Sequence, residues 1–323
     1  MTTRRQAIAA LGAVASTALM PSARAQELRP LRLVVPFAAG GSSDAMCRLL
    51  ATRLTIELNG RTVLVENTPG GSGLLAARRL LSSPADATML MNISPTTTII
   101  LPKTTKLDFD PMEDFVPVSS MGSNPLVLGV HKSVPAQTVT DFITWAKSRP
   151  AKSINFASGG TGTSTHLVAE LFFKRAGLSL THVPYKGGAP ALQDLLAGHV
   201  QAYFGNPAEF LAHAQRGDIH VLATSGEKRL SELPNTPALN EYIPGLSLVT
   251  WNGLAFRKGT AKEEVDRLSQ AIQRVSKQPE YVASMKKLGI AVIGDTAEQF
   301  GATIKRDRLL WNEAIEISGI KPE

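Results

Sequence analysis

Only one cysteine, Cys47, stands in 323 residues, so the chain cannot form an internal disulfide. An oxidising compartment permits disulfides without requiring them, so this scarcity does not exclude export. Cys47 falls in an apolar helical stripe and reads as a small buried hydrophobe. Charged residues make up 19% and aromatic residues 6%. Lysines and arginines are scattered, with no run of four, which argues against a nucleic-acid groove. Beyond the N-terminus no stretch is apolar and long enough to span a membrane. The six histidines, His131, His166, His182, His199, His213 and His220, lack metal-site spacing. There is no Gly-x-Ser-x-Gly elbow and no Walker lysine loop. Gly160-x-Gly162 lacks the third glycine of a dinucleotide fingerprint, because Thr165 stands there. No cofactor is expected.

What is present suffices for one large domain or two moderate ones: 43% hydrophobic residues, 26 Gly and 20 Pro. Arg4-Arg5, the apolar run Ala7 to Met20 and Ala23-Arg24-Ala25 read as an export signal over residues 1–25, by a general secretory or a twin-arginine route. The whole chain carries +7; the three leader arginines, with no leader acid, leave +4 for the remainder. That surplus is a mild attraction for anions or simply a solvated surface.

The most informative stretch is Pro36-Phe37-Ala38-Ala39-Gly40-Gly41-Ser42-Ser43-Asp44. It follows an apolar strand, Leu31 to Val35. It precedes a helical pattern from Ala45 to Leu58, with Met46, Leu50, Leu54 and Leu58 every four residues. Ser42, Ser43 or Asp44 suits the cap. A glycine loop entering a helix presents free N–H groups and a positive dipole end to a carboxylate or phosphate. A second such loop, Ser158 to His166, lies between a strand and a helix from Leu167 to Ala176. A third, Tyr185-Lys186-Gly187-Gly188, precedes Ala189-Pro190, and its backbone N–H groups are better candidates than Lys186. Thr161, Thr163 and Ser164 offer hydroxyls but suit plain capping equally. His166 suits a carboxylate contact or a core histidine bonded to a carbonyl.

Strands and helices alternate up to about Asn124, which predicts parallel strands covered by helices. Ser94 to Pro117 reads as irregular, and Asn124-Pro125 as a break between two strands. A helix over Thr138 to Ser148, capped by Thr138, opens a second α/β unit. Leu248 to Phe256 returns as a strand, and the rest is mainly helical. The expected division is one discontinuous lobe of residues 26–124 plus 251–323 and a second of residues 125–250, hinged around a cleft.

The segments VVPFAAGGSSD, NTPGGSG, FASGGTGTSTHLVAELF, HVPYKGGAPALQDLLAGHV, TWNGL and the closing KLGI…EQF resemble the Bug family, the solute receptors of tripartite tricarboxylate transporters. They occur in the family's order over nearly the whole chain. The resemblance implies an α/β, two-lobed periplasmic binding protein fold (type II), each lobe a doubly wound mixed sheet with flanking helices. It implies a non-enzymatic role that needs no cofactor: capture of a small carboxylate and delivery to membrane permease subunits, by a periplasmic monomer that binds no nucleic acid. It implies a ligand site at Phe37, Ala38, Gly40, Gly41 and Asp44, at Ser158, Thr161, Gly162, Thr163 and His166, and at Tyr185 and Gly187. Family members usually carry an aspartate where Gly205 stands, and its loss makes an amino-acid ligand a poorer expectation. The family's Pro-Asp-Gly-Tyr turn is here Pro84-Ala85-Asp86-Ala87-Thr88, which suggests a different turn and altered packing beside the cleft. A receptor serving a sensor, and a secreted hydrolase using Ser164 or His166, are the alternatives.

Overall fold

Strand β1 (Leu31–Val35) is buried except at Arg32, and it organises the first sheet. The computed structural model describes residues 29–319, so the leader expected over residues 1–25 lies outside the described residues. From β1 the chain runs through helix α1 (Ser42–Glu57), β2 (Val63–Asn67), α2 (Leu74–Leu81) and β3 (Met89–Ile93). β1 pairs in parallel with both neighbours, placing Leu33 opposite Val65 and Leu90. Two long strands, β4 (Phe115–Pro125) and β10 (Val249–Arg257), pair antiparallel, and β10 also pairs antiparallel with β3. With the edge strand β11 (Ala291–Val292) the order is β11-β4-β10-β3-β1-β2.

The second sheet is drawn from one continuous stretch of chain. It comprises β5 (Val127–His131), β6 (Asn155–Ser158), β7 (Thr181–Pro184), β8 (Ala202–Gly205) and β9 (Ile219–Thr224), in the order β7-β6-β8-β5-β9. Its pairs are parallel on the β7-β6-β8 side and antiparallel around β5, so both sheets are mixed. Helices α3 (Val139–Lys147), α4 (Ser164–Arg175), α5 (Gly188–Ala197) and α6 (Pro207–Arg216) flank it. The chain closes with α7 (Lys262–Ser276), α8 (Pro279–Lys287) and α9 (Ala297–Ser318).

Apolar periodicity becomes packing directly. Met46, Cys47, Leu50 and Leu54 of α1 meet Leu33 and Val35 of β1 and Leu268 and Ile272 of α7 in one core. Burying each such large side chain contributes about 1.5–3 kcal/mol. A second core continues from Val34, Met91 and Ile93 to Phe156, Phe172 and Phe204 of the other sheet, by way of Trp311 and Ile315. The C-terminal helix α9 therefore packs on α4 as well as on β4.

Four expectations differ from what is observed. Helix α1 begins at Ser42, three residues early. Gly41 is its cap and no side chain caps it. The stretch read as irregular contains a wide helical turn, Thr96–Ile100, running into Leu101–Thr104. Its threonines and isoleucines are weak helix formers, but Thr97 and Thr98 bond back to Ser94 and the turn is buried. Asn124 and Pro125 do not break the sheet, because they remain in β4 opposite Thr250 and Val249, with the proline at the strand's end. The turn before β3 keeps a left-handed residue without a glycine: Ala87 has φ 56°, and Asp86 accepts from the Thr88 N–H at 3.1 Å. It lies level with the start of β1, at the end of the sheet opposite the glycine loops, rather than beside the cleft.

Candidate functional site

The loops that leave β1, β6, β7 and β8 each enter a helix, and the four helix starts converge. Gly41 caps α1, Thr163 caps α4, Gly187 caps α5 and Asn206 caps α6. All four border one cavity of about 50 Å³ between the two sheets. Each N-terminus carries roughly half a positive charge, so the four starts direct partial positive charge at the cavity without any cationic side chain. Among the described residues that line it, none is Lys, Arg or His.

Close approach of backbones makes this convergence possible. The Ala38 N–H donates to the Lys186 carbonyl at 3.0 Å, joining the first loop to the third. Gly187 has φ 128°, and a Cβ there would stand 3.1 Å from the Ala38 nitrogen, so the contact requires glycine. The Ser164 N–H donates to Thr96 Oγ1 at 3.0 Å, and the Ser72 hydroxyl donates to the Thr161 carbonyl. These bonds hold the two sheets' loops against each other.

The expected residues separate into four groups. Phe37, Gly41, Thr163 and Gly187 border the cavity itself. Thr161 and Tyr185 border an adjoining recess of about 260 Å³ that Phe37 shares. Ala38 and Gly40 shape the loop through their backbones. The others turn away from the cavity. Asp44 accepts from the Gly40 N–H at 3.0 Å, from Asn67 Nδ2 at 3.0 Å and from Arg48 Nε at 3.0 Å. Its burial opposes ionisation, but those bonds outweigh burial and hold its pKa below the ordinary carboxylate value. It braces the first loop. Ser158 bonds the Gly160 carbonyl and His182, inside the second loop. Gly162 packs towards Thr104, and its N–H donates to His166 Nδ1 at 3.1 Å.

His166 is accordingly a core histidine, stacked 3.7 Å from His182 and near Glu170. Ser164 bonds Thr96 instead of His166, so the two residues considered for hydrolysis are not brought together. The Tyr185 hydroxyl donates to Asp194 at 2.5 Å, and burial raises its pKa to about 12.

Gly205 shows why a larger residue is absent there. A Cβ on it would lie 2.5 Å from both Glu209 Oε2 and Tyr203 Cε1. The space that an acid at this position would need holds the carboxylate of Glu209. An acid therefore stands beside this position, carried by α6 instead of by β8.

Sequence reasoning passed over three of the cavity's buried polar groups as ligand contacts. Glu209 borders it at 7% exposure, accepting from the Tyr203 hydroxyl at 2.7 Å, from the Asn206 N–H at 3.2 Å and from Asn206 Nδ2 at 3.2 Å. Burial pushes its pKa up, against the opposing pull of those bonds and of the Ser42 backbone. Asn206-x-x-Glu209 is a capping-box pattern, and that signal marks the position in the sequence. Ser42 and Ser94 also border the cavity, at 3% and 5% exposure. Among the described residues neither hydroxyl has a hydrogen-bond partner. Buried polar atoms are nearly always paired, so these two orphan hydroxyls leave hydrogen-bonding capacity at the cavity that no described residue meets.

Known proteins share this architecture. The R. palustris protein solved with adipate is 30% identical, superposes with a TM-score of 0.88, and matches over 91% of this chain and 99% of its own. MatC from Rhodopseudomonas palustris, solved with bound malate, is 25% identical with a TM-score of 0.84, covering 89% of this chain and 99% of that one. Among relatives by sequence, Protein BugT of Bordetella pertussis is 30% identical over 312 residues, covering 96% of this chain and 95% of BugT. A UPF0065 protein of Cupriavidus necator is 32% identical over 313 residues, covering 95% and 94%. Residues 46–320 match the model of the tripartite tricarboxylate transporter family receptor, and the chain belongs to that family of solute-binding receptors.

Proposed function

We propose that the protein is a periplasmic receptor that captures a small carboxylate between its two lobes and delivers it to a tripartite tricarboxylate-type membrane permease. The lobes are the expected ones, residues 26–124 with 251–323 and residues 125–250, adjusted so that Pro125, Val249 and Thr250 fall with the first sheet. The observation that carries this reading is the pair of unpartnered hydroxyls, Ser42 and Ser94, in a cavity bordered by four helix N-termini. Backbone dipoles and hydroxyls suit an anion that must be released again, since each helix end contributes only about 0.3–2 kcal/mol. A total of roughly −8 kcal/mol gives micromolar affinity, enough for uptake. Phe37 covers the apolar part of the ligand, and Thr163 and the Gly187 backbone take part in holding it. The ligands of the adipate-bound and malate-bound relatives support the carboxylate class.

The experiment is thermal unfolding of the purified protein, unfolded and refolded to strip any carried solute, against carboxylates and amino acids. A ligand present at one hundred times its Kd adds about 2.7 kcal/mol of stability, a clear rise in Tm. No rise with any of them removes the receptor reading. Uptake into vesicles bearing the permease, dependent on added protein, tests the delivery step.

A further inference from the structure

We infer that the Glu209 carboxyl stands in the place of a ligand carboxylate, so that this receptor selects small monocarboxylates over di- and tricarboxylates. The inference rests on the cavity being a carboxylate site. Its basis is how the donors are distributed. Glu209 accepts from the Asn206 N–H at the cap of α6, from the Asn206 amide and from the Tyr203 hydroxyl, and the Ser42 backbone at the first residue of α1 favours its ionised form. The protein's own groups on α1, α6 and β8 thus already serve this carboxyl. A methyl group on Gly188, the first residue of α5, would run into Glu209 Oε1. The carboxyl therefore fills the point where the starts of α1, α5 and α6 meet, which is where helix geometry would otherwise bind an external anion.

The donors left over are the Ser42 and Ser94 hydroxyls and the start of α4. They are enough for one further carboxylate. A second one would face Glu209 across a cavity of about 50 Å³ in which no described lining residue is cationic. Buried charge without a partner is strongly disfavoured. Glu209 and Gly205 work together: the Cβ that Gly205 lacks leaves the room that the Glu209 carboxyl uses.

The test is calorimetric titration of the refolded protein at neutral pH with acids paired by carbon number: propionate and malonate, butyrate and succinate, with citrate added. The expected result is monocarboxylate binding at least tenfold tighter than its dicarboxylate partner. Glu209→Ser, checked for folding by circular dichroism, is expected to gain dicarboxylate binding and to reverse the preference. Dicarboxylates binding as tightly as monocarboxylates to the unmodified protein would overturn the inference and leave the receptor reading standing. An unchanged preference in a folded Glu209→Ser would also overturn it. Failure of every acid to bind would remove both. If Glu209→Ser does not fold, the comparison on the unmodified protein decides alone.

Discussion

His182 lies 5.0 Å from Phe156 and 3.7 Å from His166 in a ring stack, with its Nε2 2.7 Å from Ser158 Oγ. Burial, with His166 beside it, lowers its pKa to about 3, against 6.5 when free. A histidine held neutral in the fold gains protons on unfolding at any pH between those values. Stability is therefore complete above pH 6.5 and falls as pH drops towards 3. Urea unfolding should show a loss of roughly 2–3 kcal/mol between pH 7 and pH 4 that is absent from His182→Phe. Equal slopes in the two proteins would mean that other groups carry the acid response. At this scale the sequence was uneven as a guide. The glycines announced the loops, since few residues turn so tightly. It could not separate Thr163, which borders the cavity, from His166, which faces the core three residues later. That distinction depends on the direction in which α4 leaves the loop, and only packing sets it.

Helix starts are the elements that make the site, and their capping is measurable. In α3 the Thr138 hydroxyl accepts from the Asp141 N–H at 3.1 Å, and Asp141 Oδ2 accepts from the Thr138 N–H at 3.0 Å. Thr138→Ala should cost about 1 kcal/mol in chemical denaturation and leave ligand affinity unchanged, since α3 does not border the cavity. A change in affinity would show that the two ends of the second sheet are coupled. Strands and amphipathic helices were legible because period-two and period-3.6 patterns survive folding almost intact. The buried turn over Thr96–Ile100 was not legible, because its side chains favour strand and its stability comes from burial and from Ser94. Its contribution to the site, Thr96, was lost with it.

The two sheets are joined by crossings that meet at one residue. The Ser225 N–H donates to the Leu126 carbonyl at 2.7 Å, and Ser225 Oγ accepts from the Leu126 N–H at 2.9 Å. The Leu248 N–H donates to the Ser225 carbonyl at 2.8 Å, and Ser225 Oγ donates to the Leu248 carbonyl at 2.5 Å. Ser225 is fully buried between the outgoing and returning strands. Ser225→Ala leaves a buried N–H and a buried carbonyl each short of a bond, which costs about 1–3 kcal/mol. We expect a lower Tm together with faster ligand release in stopped-flow measurements. A lower Tm with unaltered release would make this serine a stability element only.

The first sheet has a further consequence through its strand order. β10 lies between β4 and β3, so before residue 257 is available that sheet exists only as separate pieces. The second sheet needs nothing beyond residue 224. A chain synthesised N-terminus first can therefore finish its second sheet while β1, β2 and β3 still wait for their central partner. For that interval the apolar edge of β3 that β10 will cover stands open, and any pairing it makes with another strand would be a wrong one.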